Sequence, residues 1–379
     1  MPQRYPSKAI VNLDAYASNL ALVQRIVGRA IGVIPIVKAN AYGHGLEPIS
    51  QTAIKSGAKL LGVAAVEEAI RLRDAGIETP ILVMTPPPRE VLRLFIEYKL
   101  TPMLSDMASV EALGTMAHEA RRVAPIHCKI DTGMGRQGIG YDEALETLQS
   151  LRCVTNIDIQ GVCTHFPSAD VVDDSFTLGQ IKAFKQLIKQ MEKAGIPYEI
   201  AHAANSAAIV NYRDSLFDAV RPGLICYGIW PCRVASRVST LRRVLRWETT
   251  VVQVRQLKQY ATIGYRCTYT ARGPIRTAVL PVGYADGYRY QLSNNADVLI
   301  RGRRCPVLGA VSMDQIVVDV TALPHVSCGD IATLIGTDGA LEITAEELAE
   351  RAGTIPYDIL TGIGMRVFRE YVHDKTEKA

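Results

Sequence analysis

Over about the first 230 residues, short apolar runs alternate with stretches in which apolar residues recur every three or four positions. Continuous apolar runs are typical of strands buried on both faces of a parallel sheet, and the longer period is typical of amphipathic helices. Pro35 and Pro222 are expected to mark strand ends, because proline has no N–H to donate within a sheet. The predicted strands are Ile34–Lys38, Leu60–Ala64, Pro80–Met84, Thr101–Leu104, Ile126–Ile130, Ile157–Cys163, Tyr198–Ala201 and Ala219–Cys226.

Helix patterns fill the intervals between these runs. The stretch Asp14–Gly28 has one apolar face, with Asp14 placed to cap the first turn and Gly28 placed to end the helix. Similar patterns cover Met107–Arg122, Tyr141–Leu151 and Leu178–Ala194. Repeated strand–helix units predict an α/β fold of the (β/α)8 TIM-barrel type. A doubly wound sheet is the alternative, but no GxGxxG motif follows the first strand.

From about Trp247 the pattern changes to strand-like runs separated by Gly, Asn and Pro turns. One helix is expected to interrupt them, because Thr344 to Glu347 reads as a capping box. The sequence therefore predicts a barrel domain over residues 1–240 and a mostly β C-terminal domain over residues 241–379. The predicted strands of the second domain lie in Thr249–Val254, Ile275–Val282, Asp297–Ile300 and Gln315–Val320.

Composition excludes several classes of function. The formal charge is +4 and the basic residues are scattered, so nucleic acid is not an expected partner. There is no apolar run of about 18 residues and no signal-peptide pattern, so we expect a cytoplasmic protein with no membrane partner. The eight cysteines form no CxxC pair and the seven histidines no HxxxH pair. Reduced thiols and the absence of a metal site are therefore expected.

Reactive side chains collect where the predicted strands end, which is where a (β/α)8 barrel carries its working residues. A lysine amine such as that of Lys38 can form a Schiff base with a carbonyl cofactor, of which pyridoxal phosphate is the common one. Three loops, at Tyr42, at Asn205-Ser206 and at Gly223-Leu224, could supply N–H and hydroxyl donors for its phosphate. The polar residues at the strand ends are Lys38, Lys129, Asp131, Arg136, His165, Asn205, Ser206 and Arg221.

Arg221 is a candidate partner for the ring nitrogen of such a cofactor. An arginine cannot accept the ring proton, so the nitrogen would stay unprotonated and the ring would be a weaker electron sink. That favours a brief proton exchange at Cα over a long-lived carbanion.

These segments resemble those of the alanine racemase family, whose members are fold-type III pyridoxal-phosphate enzymes. The resemblance extends over nearly the whole chain. Its first segment, VKANAYGHG, is specific to the family when SMDQ and Gly264-Tyr265 occur in the same chain. The resemblance rests on VKANAYGHG (37–45), HCKIDTGMGRQGI (127–139), CTHFPSAD (163–170), AHAANSAA (201–208), RPGLICYGI (221–229), TIGYRCTYTA (262–271), PVGYADG (281–287), SMDQ (312–315) and IPYDI (355–359).

The resemblance implies two opposed bases. Lys38 would carry the cofactor as a Schiff base and act as the base on the D side of Cα, and Tyr265 would be the base on the L side. A free tyrosine has a pKa near 10 and needs help at neutral pH. His165 and Arg221 match residues that are linked to this tyrosine by hydrogen bonds in the family.

The other matches imply binding and supporting roles. Arg136 would bond the cofactor's phenolic oxygen and help to orient the substrate carboxylate, which the backbone N–H of Met313 would also bind. Asp314 would hold the Met313 loop, and Tyr284 matches a tyrosine near the substrate entrance. The remaining cofactor-binding matches are Tyr42, Asn205, Ser206, Gly223, Leu224 and Tyr357.

Lys129 has two readings. In several relatives the matching lysine is carbamylated, and its anion orients the arginine that matches Arg136. The other reading is an ordinary strand lysine bonded to Asp131 or to solvent.

The resemblance implies a two-base interconversion of L- and D-alanine that supplies D-alanine for peptidoglycan, by a homodimer in which each subunit's β domain closes the other's barrel. Arg266 and Ala310 depart from the family pattern and leave open serine-accepting or broader relatives. A decarboxylase of the same fold is one rival, although it would carry an EPG-type glutamate where this chain has Arg221-Pro222-Gly223. A non-catalytic pyridoxal-phosphate carrier is the other, although such carriers consist of the barrel alone.

Overall fold

The computed structural model describes residues 6–232 and 241–374, and within them the chain forms two compact units. The barrel unit comprises Ala15–Ala41 and Leu46–Arg242. The β unit comprises the described residues up to Asp14, the short segment Tyr42–Gly45 and the described residues from Arg243 onward. The predicted barrel followed by a mostly β region is thus confirmed as a fold class.

The strands have between two and eight residues in both units. In chain order they are β1 (Lys8–Asn12), β2 (Gly32–Val33), β3 (Leu61–Val63), β4 (Ile81–Val83), β5 (Thr101–Leu104), β6 (Ala124–Asp131), β7 (Ile139–Gly140), β8 (Ile157–Cys163), β9 (Ile200–His202), β10 (Ala219–Val220), β11 (Leu245–Thr250), β12 (Gln253–Leu257), β13 (Thr262–Ile263), β14 (Tyr269–Thr270), β15 (Ile275–Leu280), β16 (Asp297–Ile300), β17 (Arg303–Leu308), β18 (Ile316–Asp319), β19 (Ile331–Asp338), β20 (Leu341–Ile343) and β21 (Phe368–Val372).

Helices follow most of the barrel strands and two more lie in the β unit. They are α1 (Leu13–Val27), α2 (Leu46–Lys55), α3 (Val66–Asp74), α4 (Leu92–Glu97), α5 (Met107–Glu119), α6 (Ala144–Leu151), α7 (Ser175–Lys193), α8 (Ser206–Asn211), α9 (Ala345–Ala352) and α10 (Pro356–Gly362). Among residues 6–232 and 241–374, none of them is long and apolar enough to cross a membrane.

The barrel sheet runs β2-β10-β9-β8-β6-β5-β4-β3, with every neighbouring pair parallel. It closes between its two edges through Gly62, whose N–H donates to Pro35 O and whose carbonyl accepts from Val37 N. The carboxyl ends of the strands therefore meet on one rim, which is where Lys38, Asp131 and His165 are placed by the chain.

Two proline positions bear on the predicted first and last barrel strands, of which the first, Ile34–Lys38, lies just after the observed strand and the last, Ala219–Cys226, is too long. Strand β2 ends at Val33 before Pro35, and β10 ends at Val220 before Pro222. Beyond Pro222 the predicted strand is wrong, because Leu224–Tyr227 forms a turn of 3₁₀-helix instead. Proline has no N–H for the hydrogen-bond ladder, so the regular strands end before both positions, although the bonds of Gly62 to Pro35 and Val37 still close the barrel.

The sheet of the β unit runs β12-β15-β18-β17-β16-β19-β11-β1-β21, with β20 paired to β19. Strand β1 lies antiparallel to β11 and parallel to β21, which is why the chain's first described residues group with its last ones and not with the barrel. The buried indole of Trp247 donates to Ser7 Oγ at 2.9 Å and lies 6.1 Å from the ring of Tyr288.

The predicted boundary near residue 240 is close to the end of the barrel unit at Arg242.

Two predicted helix starts have different outcomes. Thr344 caps α9 by accepting from the N–H of Glu347, as the capping-box pattern predicts. The expectation that Asp14 caps α1 is wrong, because the helix begins one residue earlier at Leu13. The Asp14 carboxylate instead lies 2.8 Å from His373 Nδ1 and accepts from the N–H of Asp374, also at 2.8 Å. The carboxylate that the local pattern assigned to the helix cap thus bonds to residues near the other end of the chain.

Candidate active site

Lys38 is followed by a left-handed turn, Ala39–Tyr42, which we call the Lys38 turn. Its four residues have φ angles of 53° to 54° although none is glycine. For residues with a Cβ this conformation costs about 1–2 kcal/mol each and normally occurs one residue at a time. A run of four therefore requires compensating bonds from its surroundings.

The Glu68 side chain supplies the main compensation. One of its carboxylate oxygens accepts from the N–H groups of Ala39 at 2.5 Å and Asn40 at 3.4 Å. The other accepts from Ala64 N at 3.0 Å and Ala65 N at 3.2 Å, just before helix α3. Sequence analysis did not single out this residue, because a glutamate in the first turn of a helix normally reads as a capping group.

Further bonds hold the two sides of the Lys38 turn. Ala41 N donates to Val37 O at 2.8 Å, and the Asn40 side chain accepts from Leu46 N at 3.0 Å. Asparagine tolerates the left-handed region better than other residues because its short side chain can bond locally. The motif VKANAYGHG thus builds an unusual turn directly after its lysine.

The two glycines of this motif are required by close contacts within the β unit. Gly43 has φ +82°, and a Cβ there would lie 2.2 Å from Leu360 O. Gly45 has φ +110°, and a Cβ there would lie 1.9 Å from the Tyr371 hydroxyl. Beside them the rings of Tyr42 and Tyr357, both predicted to bind phosphate, lie 5.9 Å apart.

Arg221 is only 5% exposed and donates to acceptors on every side. Its guanidinium reaches the carbonyls of Thr164 at 2.6 Å, His202 at 2.9 Å and Ala203 at 2.9 Å. It also lies 3.1 Å from Nδ1 of His165 and 2.5 Å from Nδ1 of His202. The predicted link between His165 and Arg221 is thus present as a direct contact.

These contacts fix the state of three histidines. Because arginine can only donate, Nδ1 of His202 accepts and its proton is on Nε2, which faces Nδ1 of His127 at 2.8 Å. Burial, reinforced by the Arg221 charge, lowers the pKa of His127 to about 3 and those of His202 and His165 well below the usual value. All three rings are therefore neutral at physiological pH.

Sequence analysis missed His127 and His202, although both lie in segments that carry the resemblance. One signal was available, because His127, Lys129 and Asp131 alternate with Ile126, Cys128 and Ile130 along β6. Polar residues at every second position of a strand point to the same side of the sheet. Gly161 on the next strand makes room for this ring, since a Cβ there would lie 2.4 Å from His127 Nδ1.

Positive charge accumulates around Lys38. Burial and the charges of Arg136 and Arg221 lower the pKa of the Lys38 amine, while the Glu68 carboxylate raises it. A lysine with a lowered pKa has more of its neutral, nucleophilic form at neutral pH.

Lys129 is 4% exposed, and burial lowers its pKa to about 7, with Arg221 and Arg136 adding to the effect. The Asp131 side chain does not bond to it, because that carboxylate accepts from the N–H groups of Gly133, Met134 and Gly135. The reading of Lys129 as bonded to Asp131 is therefore wrong. Within residues 6–232 and 241–374, the Lys129 side chain forms no hydrogen bond or ion pair, whereas its backbone belongs to the pairing of β6 with β8.

Ser206 and Gly223 are brought together by a hydrogen bond of 2.9 Å from Gly223 N to Ser206 Oγ. Each lies where a helix starts, Ser206 at α8 and Gly223 just before Leu224–Tyr227. Asn205 caps α8 by accepting from Ala207 N and Ala208 N, and its amide also donates to Phe166 O. Two helix starts therefore meet here, with the N–H groups of Gly223 and Ile225 donating to Ser206 Oγ and two N–H groups of α8 donating to Asn205.

Tyr265 lies in a strained turn of the β unit, Gly264–Cys267, which we call the Tyr265 turn. Its side chain is 73% exposed, and Arg266 and Cys267 have φ angles of +60° and +50°. A Cβ at Gly264 would lie 2.8 Å from Ala310 N, so the turn packs directly against that backbone. Ala310, one of the two departures from the family pattern, is 6% exposed at this contact.

Met313 and Tyr284 are held together by backbone bonds between their loops. Tyr284 N donates to Ser312 O at 3.1 Å and Ala285 N donates to Met313 O at 3.0 Å. The Met313 side chain is 52% exposed. Arg366 then clamps both loops, pairing with Asp314 at 2.8 Å and with the fully buried Asp286 at 3.1 Å.

The predicted site residues divide between the two units. The barrel unit holds Lys38, Lys129, Arg136, His165, Asn205, Ser206, Arg221, Gly223 and Leu224, and the β unit holds Tyr42, Tyr265, Tyr284, Met313, Asp314 and Tyr357. In the described part of the chain, no group of three or more His, Cys, Asp or Glu side chains comes together to hold a metal ion.

The barrel group suits an anionic carbonyl cofactor. The charges of Arg136 and Arg221 lower the pKa of Lys38 and that of Lys129, and the Asp131 carboxylate accepts hydrogen bonds from backbone N–H groups. Two arginines and two lysines thus outnumber the carboxylates of Glu68 and Asp131, and a phosphate group and a carboxylate substrate would supply further negative charge. Pyridoxal phosphate would suit each of three features of this group: the amine with a lowered pKa, the donors at Ser206 and Gly223, and the buried arginine.

Comparison with known proteins points the same way. The family model for the alanine racemase N-terminal domain matches residues 11–231, and that for the C-terminal domain matches residues 244–371. An alanine racemase of Halothermothrix orenii is 40% identical over 366 residues, which are 97% of this chain and 97% of that relative.

Solved structures agree with the sequence comparison. An alanine racemase structure from Clostridium difficile 630 superposes with a TM-score of 0.94 at 32% identity, covering 98% of this chain and 97% of that one. A Bartonella henselae alanine racemase with covalently bound pyridoxal phosphate has a TM-score of 0.87 at 28% identity, covering 97% of this chain and 99% of that one.

Proposed function

We propose that this chain, which belongs to the alanine racemase family of pyridoxal-phosphate-dependent isomerases, interconverts L- and D-alanine by a two-base mechanism. The observation that carries the proposal is Lys38, an amine whose pKa is lowered by burial and by Arg136 and Arg221. It follows the first barrel strand and precedes a left-handed turn held by other side chains. The relatives support the choice of substrate and cofactor.

Each part of the cofactor has residues to hold it. Lys38 would hold its aldehyde carbon, Arg221 would donate to its ring nitrogen, and Arg136 would donate to its phenolic oxygen. Its phosphate would be bound by Tyr42, Asn205, Ser206, Gly223, Leu224 and Tyr357. The hydrogen bond between Ser206 and Gly223 supports this assignment, because it brings two helix starts together.

When bound, pyridoxal phosphate acts as an electron sink for the negative charge that is left when the Cα proton is removed. Arg221 limits how strong that sink becomes. Its guanidinium is surrounded by carbonyl oxygens and neutral imidazoles and can only donate, so it would hold the ring nitrogen as an unprotonated acceptor. The site therefore favours rapid return of the proton to Cα over side reactions such as transamination.

Two side chains would exchange the Cα proton, one on each face. The Lys38 amine would take or return it on the D side, and the Tyr265 hydroxyl on the L side. His165 and Arg221 would assist the tyrosine through hydrogen bonds, and the contact between them at 3.1 Å supports this relay. Arg136 and the backbone N–H of Met313 would bind the substrate carboxylate, while Tyr284 would lie near the entrance.

The working form is proposed to be a homodimer. The Tyr265 and Met313 side chains are 73% and 52% exposed on the β unit, and both have roles at a reacting centre that Lys38 defines in the barrel unit. We infer that Tyr265 and Met313 of each subunit complete the partner's site, as the family resemblance implies.

Lys129 is proposed to carry a carbamate that pairs with Arg136. Carbon dioxide reacts with a neutral amine, and a pKa of about 7 leaves a large neutral fraction at physiological pH. The resulting anion would balance the positive charge around it. Intact-mass analysis and electron density at Lys129, from protein kept near neutral pH with dissolved bicarbonate, should show the added group. A bare amine in both measurements would refute it.

The proposed reaction can be tested with L-alanine in D₂O, following D-alanine and deuterium at Cα together. Racemisation by proton exchange predicts D-alanine that carries deuterium at Cα. Protein that retains pyridoxal phosphate but forms no D-alanine would reject alanine as substrate, and serine, which relatives of this pattern also accept, would be assayed next.

The product is proposed to serve peptidoglycan synthesis from a cytoplasmic location. Deleting the gene should then make growth of the host depend on added D-alanine, and cell fractionation should place the protein in the cytoplasm.

A further inference from the structure

We propose that Glu68 is a positioning residue for Lys38, whose carboxylate both fixes the turn that follows the lysine and places a negative charge beside its amine. This inference rests on the proposed function, in which Lys38 is the amine that holds the cofactor. Glu68 belongs to helix α3 and is not part of any segment that pointed to the family.

The geometry makes Glu68 a bridge between two backbone segments. Its first oxygen accepts from Ala39 and Asn40 in the Lys38 turn, and its second accepts from Ala64 and Ala65 after strand β3. Each oxygen offers about two acceptor sites, so the ionised carboxylate is fully used. Because the turn begins at the residue after Lys38, fixing its first N–H groups also fixes the backbone from which the lysine side chain extends.

The charge of Glu68 acts in the opposite direction to that of its neighbours. Burial, Arg136 and Arg221 disfavour the ammonium form of Lys38, and Glu68 favours it. Lys38 in turn acts on the neutral His165, and Arg136 and Arg221 also act on Lys129, whose other charged or titratable neighbours are Asp131 and Cys163. Arg221 further acts on the neutral His127 and His202. Glu68 is thus the acidic residue that limits how far the lysine is driven toward its neutral form.

Loss of Glu68 therefore has two separable consequences. Two N–H groups of a turn in an unfavourable conformation lose their acceptor, so the lysine is less well placed and reacts more slowly even when neutral. The amine also loses a favourable charge, so it becomes neutral at a lower pH. A residue that only capped α3 would produce neither effect at Lys38.

Glu67 provides a matched control. It is the preceding residue on the same helix, carries the same charge and is exposed to solvent. Glu67→Gln therefore removes one negative charge from the first turn of α3 without touching the Lys38 turn. Glu68→Asp provides the complementary control, because it keeps the charge but is too short to reach both segments.

The experiment starts from the cofactor-free full-length protein. The rate at which it captures pyridoxal phosphate is measured by stopped-flow absorbance from pH 6 to pH 10 for the wild type, Glu68→Gln, Glu68→Asp and Glu67→Gln. Borohydride trapping and peptide mass spectrometry confirm attachment at Lys38. Competitive acetylation with acetic anhydride reports the pKa of Lys38 independently of any cofactor, and melting temperatures show that each variant is folded.

In Glu68→Gln we expect the midpoint of the pH–rate curve and of Lys38 acetylation to move down by about half a pH unit or more. The limiting rate should fall about tenfold. Glu68→Asp should keep the wild-type midpoint but lose limiting rate, and Glu67→Gln should change neither. A Glu68→Gln curve with an unshifted midpoint, or one that matches Glu67→Gln, would overturn the proposal. Wild-type protein that captures no cofactor would count against the proposed function, while the acetylation midpoints would still test Glu68.

Discussion

The Lys38 turn and the Tyr265 turn carry the two proposed bases, and both contain residues with positive φ that are not glycine. They differ in what surrounds the base. Lys38 is partly buried among charged groups of its own unit, and these change its pKa. The Tyr265 side chain is 73% exposed, and its turn is held from behind by the backbone of Ala310.

The difference indicates how the two bases are activated. The chain supplies the environment of Lys38 by itself, because Glu68, Arg136 and Arg221 all belong to the barrel unit. For Tyr265 the chain supplies a turn that packs against the Ala310 backbone but little burial of the side chain. Under the proposed function, the rest of the environment of Tyr265 is the barrel of the partner subunit.

Removing the lysine should have the largest effect. Lys38→Ala is expected to reduce racemisation in both directions by more than about 10⁴-fold, since both cofactor attachment and one base are lost. Initial rates from L- and from D-alanine, measured by chiral chromatography, check this. The exposed Lys59 offers a control, and Lys59→Ala should keep full activity. Substantial turnover by Lys38→Ala would contradict the assignment.

Removing only the tyrosine hydroxyl should slow proton exchange on one face of Cα much more than on the other. Tyr265→Phe is expected to slow proton removal from L-alanine by about 10²- to 10⁴-fold, the usual contribution of a general base. Exchange of the Cα proton of D-alanine with D₂O, which Lys38 would perform, should be affected much less. Proton NMR of each enantiomer in D₂O measures both rates, and equal losses on the two sides would argue against separate bases.

A mixed dimer should show whether the two bases come from different subunits. When inactive Lys38→Ala and Tyr265→Phe proteins are dissociated, mixed in equal amounts and reassociated, about half of the dimers contain one of each. Each such dimer has one intact site if sites are shared, so activity should recover to about a quarter of the wild-type value. Sites built within single chains would give no recovery.

The last prediction concerns Gly43, the residue that follows the Lys38 turn, and it is expected to change stability and not the chemistry. Gly43→Ala is expected to destabilise the protein by about 3 kcal/mol or more, because it adds a clash with Leu360 O to the cost of a positive φ. Gly57→Ala is the matched control, with φ +99° and nothing within 4 Å of the added Cβ, and should cost only about 1–2 kcal/mol. Urea unfolding measures both values, and equal losses would show that crowding at Gly43 is unimportant.

The sequence by itself determined the fold class and most of the proposed site. Apolar runs and helix patterns are local signals, and a barrel places whatever follows each strand on one rim, so the sequence alone groups Lys38, His165 and Arg221. The cap at Thr344 was equally local, and the structure confirms it.

Only the tertiary structure determined which groups contact those residues and change their positions or pKa values. Glu68 reaches the Lys38 turn across 29 positions, and His127 meets His202 across 75 positions, distances at which periodicity carries no information. The same holds for β1, which pairs with β11 and β21 near the other end of the chain and draws the Asp14 carboxylate away from its expected cap. Local patterns predict which way a side chain faces, whereas the partner it meets depends on how distant segments pack.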